Sequence, residues 1–150
     1  MSTITPAHML DTTIFNAALE GKVSLASFAG SQLLVIGVQA DELRATQNEK
    51  RRAELLALFE QIRPVTVPAS SFAFDIEGAG WGQADWNDGR GTFQLMLSRL
   101  RELDGKKNIR NQLRDILIAE TAIRNGATLV TGDANLRKVV LEFGGRAIAP

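Results

Sequence analysis

The chain has no cysteine and a single histidine among its 150 residues. The first absence removes disulfides, thiolate zinc sites and cysteine nucleophiles, and is compatible with a reducing cytoplasm. The second leaves His8, near the start of the first apolar run, which reads as structural rather than catalytic. Net charge is missing as well: 17 basic residues offset 17 acidic ones, so no global field attracts nucleic acid or membrane, and any electropositive site must be local. The apolar runs fall far short of the roughly 20 residues of a membrane helix. The start, "MSTITPAHML", lacks a basic region followed by a long apolar stretch. A soluble, cytoplasmic protein is expected. Catalytic signatures are absent too: there is no G-x-S-x-G elbow and no Walker lysine motif, and "GAGWG" lacks the spacing of a dinucleotide fingerprint. A phospho-accepting receiver domain would need paired acids after the first strand and a lysine after a late one, where this chain has Thr131 and Asp133.

What is present is ordinary in bulk, with 45% hydrophobic and 23% charged residues, a composition typical of soluble globular proteins. The length suits one compact domain, residues 1–150, with a core that needs no staples. "HMLDTT" reads as a short strand ending in an aspartate, and "IFNAALEGKVSLASFAG" as helical segments and a turn. "QLLVIGV" is an apolar run without alternation, as in a strand buried on both faces. "ADELRATQNEKRRAELLALFEQI" places Leu43, Leu55, Leu58, Phe59 and Ile62 at helical intervals, with a break near Gln47 or Asn48, and ends at Pro64. "VTV" is a third strand.

The stretch of about residues 74–91 changes character, with five glycines, both tryptophans and four acidic residues; a loop or insertion of this length is usually functional or mobile. Helical pattern resumes in "TFQLMLSRLREL" and "NIRNQLRDILIAETAIRNG", where Gly126 is placed to close the helix in a left-handed conformation. "ATLVT" is a fourth strand, "ANLRKVVLEFGG" a helix and "RAIA" a fifth strand. Strands alternating with helices imply a parallel sheet with helices on both faces.

Ligands of such sheets bind outside the carboxyl ends of the strands. Asp11 ends the first strand, Glu42 lies shortly after the second and Asp133 follows the fourth, so three acids from distant parts of the chain should converge on one edge. Asp115 is the fourth candidate. It shares a helical face with Ala119 and Ala122 on a helix that is apolar nearly all round, and a carboxylate approaching a core needs a partner. A helix starting near Leu113 would offer its N-terminus. Each acid also has a plainer reading: Asp11 and Asp133 as N-caps, Glu42 as a first-turn acid, Asp115 as the ion-pair partner of Arg110 or Arg114. Their joint occurrence favours a site. Two unit charges about 4 Å apart repel by roughly 4 kcal/mol near a protein surface, so clustered carboxylates either protonate or bind a divalent ion. All-oxygen ligation favours Mg2+ or Mn2+.

The ordered blocks "LDTTIF", "ADELRAT" and "RDILIAETAIRNGATLVTGDANL" resemble the PIN-domain ribonucleases, including the VapC-like toxins of bacterial toxin–antitoxin pairs. The third block is the most specific. The resemblance implies a three-layer α/β/α domain with a central, mainly parallel five-stranded sheet, and a Mg2+- or Mn2+-dependent endoribonuclease site. Carried over by position, its acids fall on Asp11, Glu42, Asp115 and Asp133, which implies that these four are both metal ligands and catalytic residues. Thr131 matches the hydroxyl residue of the strand-end motif, and Asn135 lies near enough to support the ligands. The implied partners are an RNA substrate, an antitoxin protein and a second copy of the chain in a homodimer. Short toxins of that family have a compact helical connection where this chain has "DIEGAGWGQADWNDGRG", a departure that touches the partners rather than the acids.

RNA needs a grip, and between Arg99 and Arg114 six basic residues face two acids, Glu102 and Asp104. Lys106, Lys107, Arg110 and Arg114 are the candidate phosphate contacts; a solvated helix face is the equal alternative. Trp81 and Trp86 either stack on unpaired bases or pack the loop or an oligomer interface. The expected chemistry is metal-assisted phosphodiester hydrolysis with an activated water. The rival is a PIN-like binding or scaffold module, catalytically weak or inactive, with a protein partner.

Overall fold

The structure, a computed structural model, describes residues 6–69, 90–105 and 108–150. Expectations that rest on Trp81, Trp86, Lys106, Lys107 and the stretch 74–89 lie outside the described residues. Five strands form one sheet in the order β3-β2-β1-β4-β5, with every pairing parallel. They are β1 (Ala7–Leu10), β2 (Gln32–Val35), β3 (Val65–Thr66), β4 (Thr128–Val130) and β5 (Arg146–Ile148). The helices are α1 (Thr12–Leu19), α2 (Gly37–Arg44), α3 (Glu49–Ile62), α4 (Arg90–Asp104), α5 (Ile109–Arg124) and α6 (Ala134–Glu142), with a 3-10 turn over Leu25–Phe28.

Alternation along the central strands builds the three layers. Met9, Leu34 and Leu129 point to one face, where they meet Met96 and Leu100 of α4, Ile116 and Leu117 of α5, and Leu136 and Val139 of α6. Their neighbours Leu10, Val35 and Val130 point to the other face, against Ile14 and Phe15 of α1, Phe28, Leu43 of α2 and Leu55 of α3. The chain winds outward from β1 through β2 to β3, then returns to lay β4 and β5 on β1's other side. Because crossovers keep one hand, that reversal sends the later helices to the opposite face. It also makes the gap between the carboxyl ends of β1 and β4 the switch point of the sheet.

Several boundaries differ from the sequence reading. Strand β1 ends at Leu10, and Thr12 and Thr13 already belong to α1. Strand β2 stops at Val35, because Ile36 takes the extended N-cap conformation of α2 and Gly37 opens the helix. Arg90 and Gly91, read as part of the glycine-rich stretch, begin α4. The break before α3 falls at residues 45–48, where the Asn48 side chain accepts from the Arg51 N–H at 2.8 Å and caps the helix. Gly126 closes α5 at φ +66° with its N–H on the Ile123 carbonyl. No helix among the described residues is long and apolar enough to cross a membrane.

Candidate active site

The ladders of β4 with β1 and with β5 run on past the strands: the Asp11 N–H donates to the Val130 carbonyl at 3.1 Å, and the Thr131 N–H to the Ile148 carbonyl at 3.1 Å. Asp11 and Thr131 therefore stand side by side at the switch point. The Thr131 hydroxyl donates to Asp11 Oδ2 at 2.7 Å and accepts the Asp133 N–H at 3.1 Å, so one buried hydroxyl joins the two strand ends. Thr13 adds a second bond to the same Asp11 oxygen at 3.1 Å. Asp11 occupies the N-cap position of α1 but makes no side-chain capping bond, and the plain capping reading fails for it. Burial pushes its carboxyl up, against the hydrogen bonds from Thr131 and Thr13.

Asp133 does cap. Its Oδ1 accepts the N–H groups of Asn135 at 2.9 Å and Leu136 at 3.1 Å, which satisfies the first donors of α6. Glu42 lies in the second turn of α2, so a first-turn role does not apply. It is held instead by Thr12, whose hydroxyl donates to Oε1 at 2.8 Å. Burial raises its carboxyl, opposed by the Thr12 bond and by the charge of Arg114. Gln39 fixes this part of the edge: fully buried, it donates to the Leu10 carbonyl at 2.9 Å and accepts the Ile36 N–H at 2.9 Å.

For Asp115 the condition that a helix N-terminus be at hand is not met. Helix α5 starts at Ile109, capped by Asn108, and not near Leu113. Asp115 thus sits inside the helix, out of reach of its N-terminal donors. Neither Arg110 nor Arg114 forms an ion pair with it, and no described residue gives it a hydrogen bond. Below it the helix is buried without interruption from Ile116 to Ala122. Since α5 feeds β4 at its amino end, its own start lies over the carboxyl edge, and Asp115 with it. The carboxyl is pushed up to about 8, first by burial and then by the charges of Asp11, Asp133, Glu42 and Asp104. The structure thus brings the four named acids within one another's fields.

Asp104, read in the sequence only as a counter-charge in a basic stretch, is a residue the reading missed as a site candidate. It ends α4 at the same edge, and its Oδ1 accepts a hydrogen bond from the Asn135 side chain. Its signal was weak, because nothing in the spacing says that the α4–α5 turn returns to the sheet edge. The basic residues scatter: Arg99 pairs with Glu142 and Glu102, Arg101 donates to Gln112, and Arg114 faces Glu42. Arg110 is exposed at the start of α5. His8 packs against Phe28 with ring centres 5.0 Å apart and planes tilted by 52°, and burial lowers its pKa, in keeping with a structural role.

The donor set suits a hard cation. Both side-chain donors to Asp11 use Oδ2, the donors to Asp133 use Oδ1, and the donor to Glu42 uses Oε1. Asp11 also receives the Thr12 N–H, Glu42 and Asp133 each keep a second oxygen clear of the described donors, and no described residue donates to Asp115. Among the described residues, however, no three His, Asp or Glu side chains close on one point as a finished metal site does. The clamps and the mutual repulsion hold the acids around the edge.

No family model and no curated protein matches the chain. Solved structures do. A chain of VapBC2 from Rickettsia felis, determined bound to a DNA fragment from its promoter, overlays with a TM-score of 0.52 at 18% identity, over 95% of this chain and 98% of that one. A domain of a functionally unknown protein from Methanocaldococcus jannaschii gives 0.50 at 11% identity, over 97% and 91%. VapBC-5 from Mycobacterium tuberculosis gives 0.49 at 20%, over 95% and 96%. Identities this low speak to the fold. The chain has the PIN-like α/β fold also present in the VapBC2 structure, with an all-parallel sheet of five strands between two helical layers.

Proposed function

We propose that this protein is a Mg2+- or Mn2+-dependent endoribonuclease that hydrolyses RNA phosphodiester bonds at the carboxyl edge of its sheet, as the toxin of a toxin–antitoxin pair. The observation that carries this reading is Asp115: a desolvated carboxyl with no cation or hydrogen-bond donor from the described residues, raised to about 8 among other acids. Buried charge without a partner is costly, and a hard divalent cation is the partner that an all-oxygen set selects. Asp11, Glu42, Asp115 and Asp133 are the proposed ligands.

When bound, the cation supplies a Lewis acid that lowers the pKa of a coordinated water and offsets charge building on the phosphate. The chain's own residues do the rest. Thr131 and Thr13 keep Asp11 oriented, and Thr12 does the same for Glu42. Asp133 serves two ends at once, capping α6 with one oxygen and offering the other. Burial raises the carboxyls of Asp11 and Glu42 above their ordinary range, the direction a carboxyl that exchanges protons with substrate needs. Arg114, beside Glu42, is a cation within reach of a phosphate at the same edge, and Arg110 lies one helical turn before it.

An RNA substrate follows from the PIN-like fold joined to the acids. The Rickettsia felis neighbour is a VapBC assembly, which supports an antitoxin protein as partner, and a homodimer rests on the family resemblance alone. One observation favours the scaffold reading, namely that no three acids among the described residues close on one point. Thermal unfolding of chelator-stripped protein with and without millimolar Mn2+ separates the two. A nuclease is stabilised by mass action, by about 2.7 kcal/mol at one hundred times the dissociation constant, and Asp115→Asn loses the effect. A scaffold shows no shift at any concentration. Cleavage of a mixed RNA pool by the wild type, and not by Asp115→Asn, then tests the activity itself.

A further inference from the structure

We infer that Asp104 is a fifth acidic residue of this site, fixed by Asn135 and contributing its carboxylate to the surroundings of the bound cation. The inference rests on the metal reading above and extends it to a residue outside the four acids. Hydrogen bonds run without a gap along the edge. The Thr131 hydroxyl joins Asp11 to the Asp133 N–H, the Asn135 N–H reaches Asp133 Oδ1, and the Asn135 side chain reaches Asp104 Oδ1. Asn135 thus holds two carboxylates from one position, its backbone on Asp133 and its amide on Asp104. The pattern is the one found at Glu42 and Asp133, with one oxygen taken by a described protein donor and the other left over.

Helix stability does not account for Asp104. An acid in the last turn of α4 opposes the helix dipole, whose C-terminal end is negative, and no described cation pairs with it. The turn that delivers it is nonetheless built firmly. Buried Gln112 donates to the Gly105 carbonyl at 3.1 Å and accepts from Arg101 at 2.9 Å, tying the end of α4 to α5. Asn135, at the start of α6 on this edge, holds Asp104 beside Asp133. A cation at this edge offsets the Asp104 charge as well.

The test compares wild type, Asp104→Asn, Asn135→Ala and Glu102→Gln. The last removes an equal charge from α4 where it is exposed and already paired with Arg99. Two quantities are read: the Mn2+ dissociation constant, from the magnetic-resonance signal of the free ion, and the metal-free unfolding midpoint. Loss of an outer partner of a metal site weakens binding about tenfold or more. That is the result expected for Asp104→Asn and, to a lesser degree, for Asn135→Ala, with the metal-free midpoint of Asp104→Asn unchanged or raised and Glu102→Gln like the wild type. Unchanged Mn2+ binding in Asp104→Asn overturns the inference, as does an equal loss in Glu102→Gln, which would mark a diffuse field. If Asp104→Asn does not fold, Asn135→Ala decides, and unchanged binding there overturns it. A wild type that binds no Mn2+ refutes the metal reading and this inference with it, and is told apart by the wild-type titration alone.

Discussion

On the outer faces of the helices, Glu20 lies against Lys22 at 3.1 Å and Arg51 at 2.8 Å, and Glu142 lies against Arg99 at 2.8 Å. At the carboxyl edge of the sheet, Asp115 has acids for company, and no cation among the described residues is paired with it. The consequences are opposite in sign: hydrogen bonds from the cations hold the outer carboxyls below their usual range, whereas burial and like charge push the edge carboxyls above theirs. A chain with equal numbers of acids and bases has cations enough to pair both groups. It pairs exposed acids on the helix faces, where pairing matters least, and gives buried Glu120 an arginine, Arg124, at 3.8 Å, but among the described residues it leaves Asp115 at the edge with other acids. Such a distribution stores free energy at the edge that a cation can release.

The largest effect expected from breaking this contrast is at Asp115. Its carboxyl titrates at about 8 in the folded chain and near 3.8 unfolded. Below both values it is neutral in either state and costs nothing. As pH rises from about 4 to 8 the unfolded chain ionises first, so metal-free stability falls, by up to about 4 kcal/mol at pH 7, and the loss levels off above 8. Asp11 and Glu42, raised as well, act in the same direction. Asp115→Asn should flatten the profile and leave the metal-free protein more stable at neutral pH, while RNA cleavage falls by about a hundredfold or more, the scale of a lost transition-state contact. Urea unfolding from pH 4 to 9 gives the profile. A variant less stable than wild type at pH 7 would make Asp115 a structural residue.

The next effect is at Thr131, which joins two acids through one hydroxyl. Thr131→Val keeps the shape and strips Asp11 Oδ2 of its shorter bond and the Asp133 N–H of its acceptor. Unsatisfied buried groups of this kind cost about 1–3 kcal/mol. Asp11 should rise further, so the loss of metal-free stability steepens with pH. Thr131→Ser keeps the hydroxyl and should recover most of both.

How far this edge was legible in the sequence depends on the residue. Asp11 and Asp133 follow apolar strands, and the rule that parallel sheets bind ligands at strand ends pointed at them directly. Five strands and their alternation with helices were readable because buried apolar runs and glycine stops such as Gly126 are local signals. Strand and helix boundaries were not, since Thr12, Thr13, Gly37 and Val38 are drawn into helices by packing that no short window contains. The helical pattern read from Asn108 onward was local as well and matches α5, which Asn108 caps with two backbone bonds. Asp104 was hidden because its meaning lies in Asn135, 31 positions away in the chain. Pairs of that separation are set by topology.

Asp133 allows the contrast to be sharpened within one side chain, because it caps a helix and belongs to the acidic edge. Asparagine caps about as well as aspartate, and alanine costs about 1 kcal/mol. Asp133→Asn should therefore keep the metal-free stability and lose Mn2+ binding, whereas Asp133→Ala should lose both. Equal behaviour of the two in the Mn2+ titration, at wild-type affinity, would reduce Asp133 to a cap.

The smallest effect belongs to the outer set, and its direction is the useful part. Glu20 and Glu142 have folded values below their unfolded ones. Whatever they contribute is present above the unfolded value near 4.5 and is lost as pH falls through the lower folded one, opposite to the trend at Asp115. Both are exposed, so salt weakens the contribution. In the double variant Glu20→Gln, Glu142→Gln, cleavage and Mn2+ affinity should match the wild type, and only the acid limb of the stability profile should shift, less so in high salt. If instead the neutral limb moved, toward that of Asp115→Asn, the two sets would share one field, and a neutral chain would have no privately charged edge on which to hold a cation.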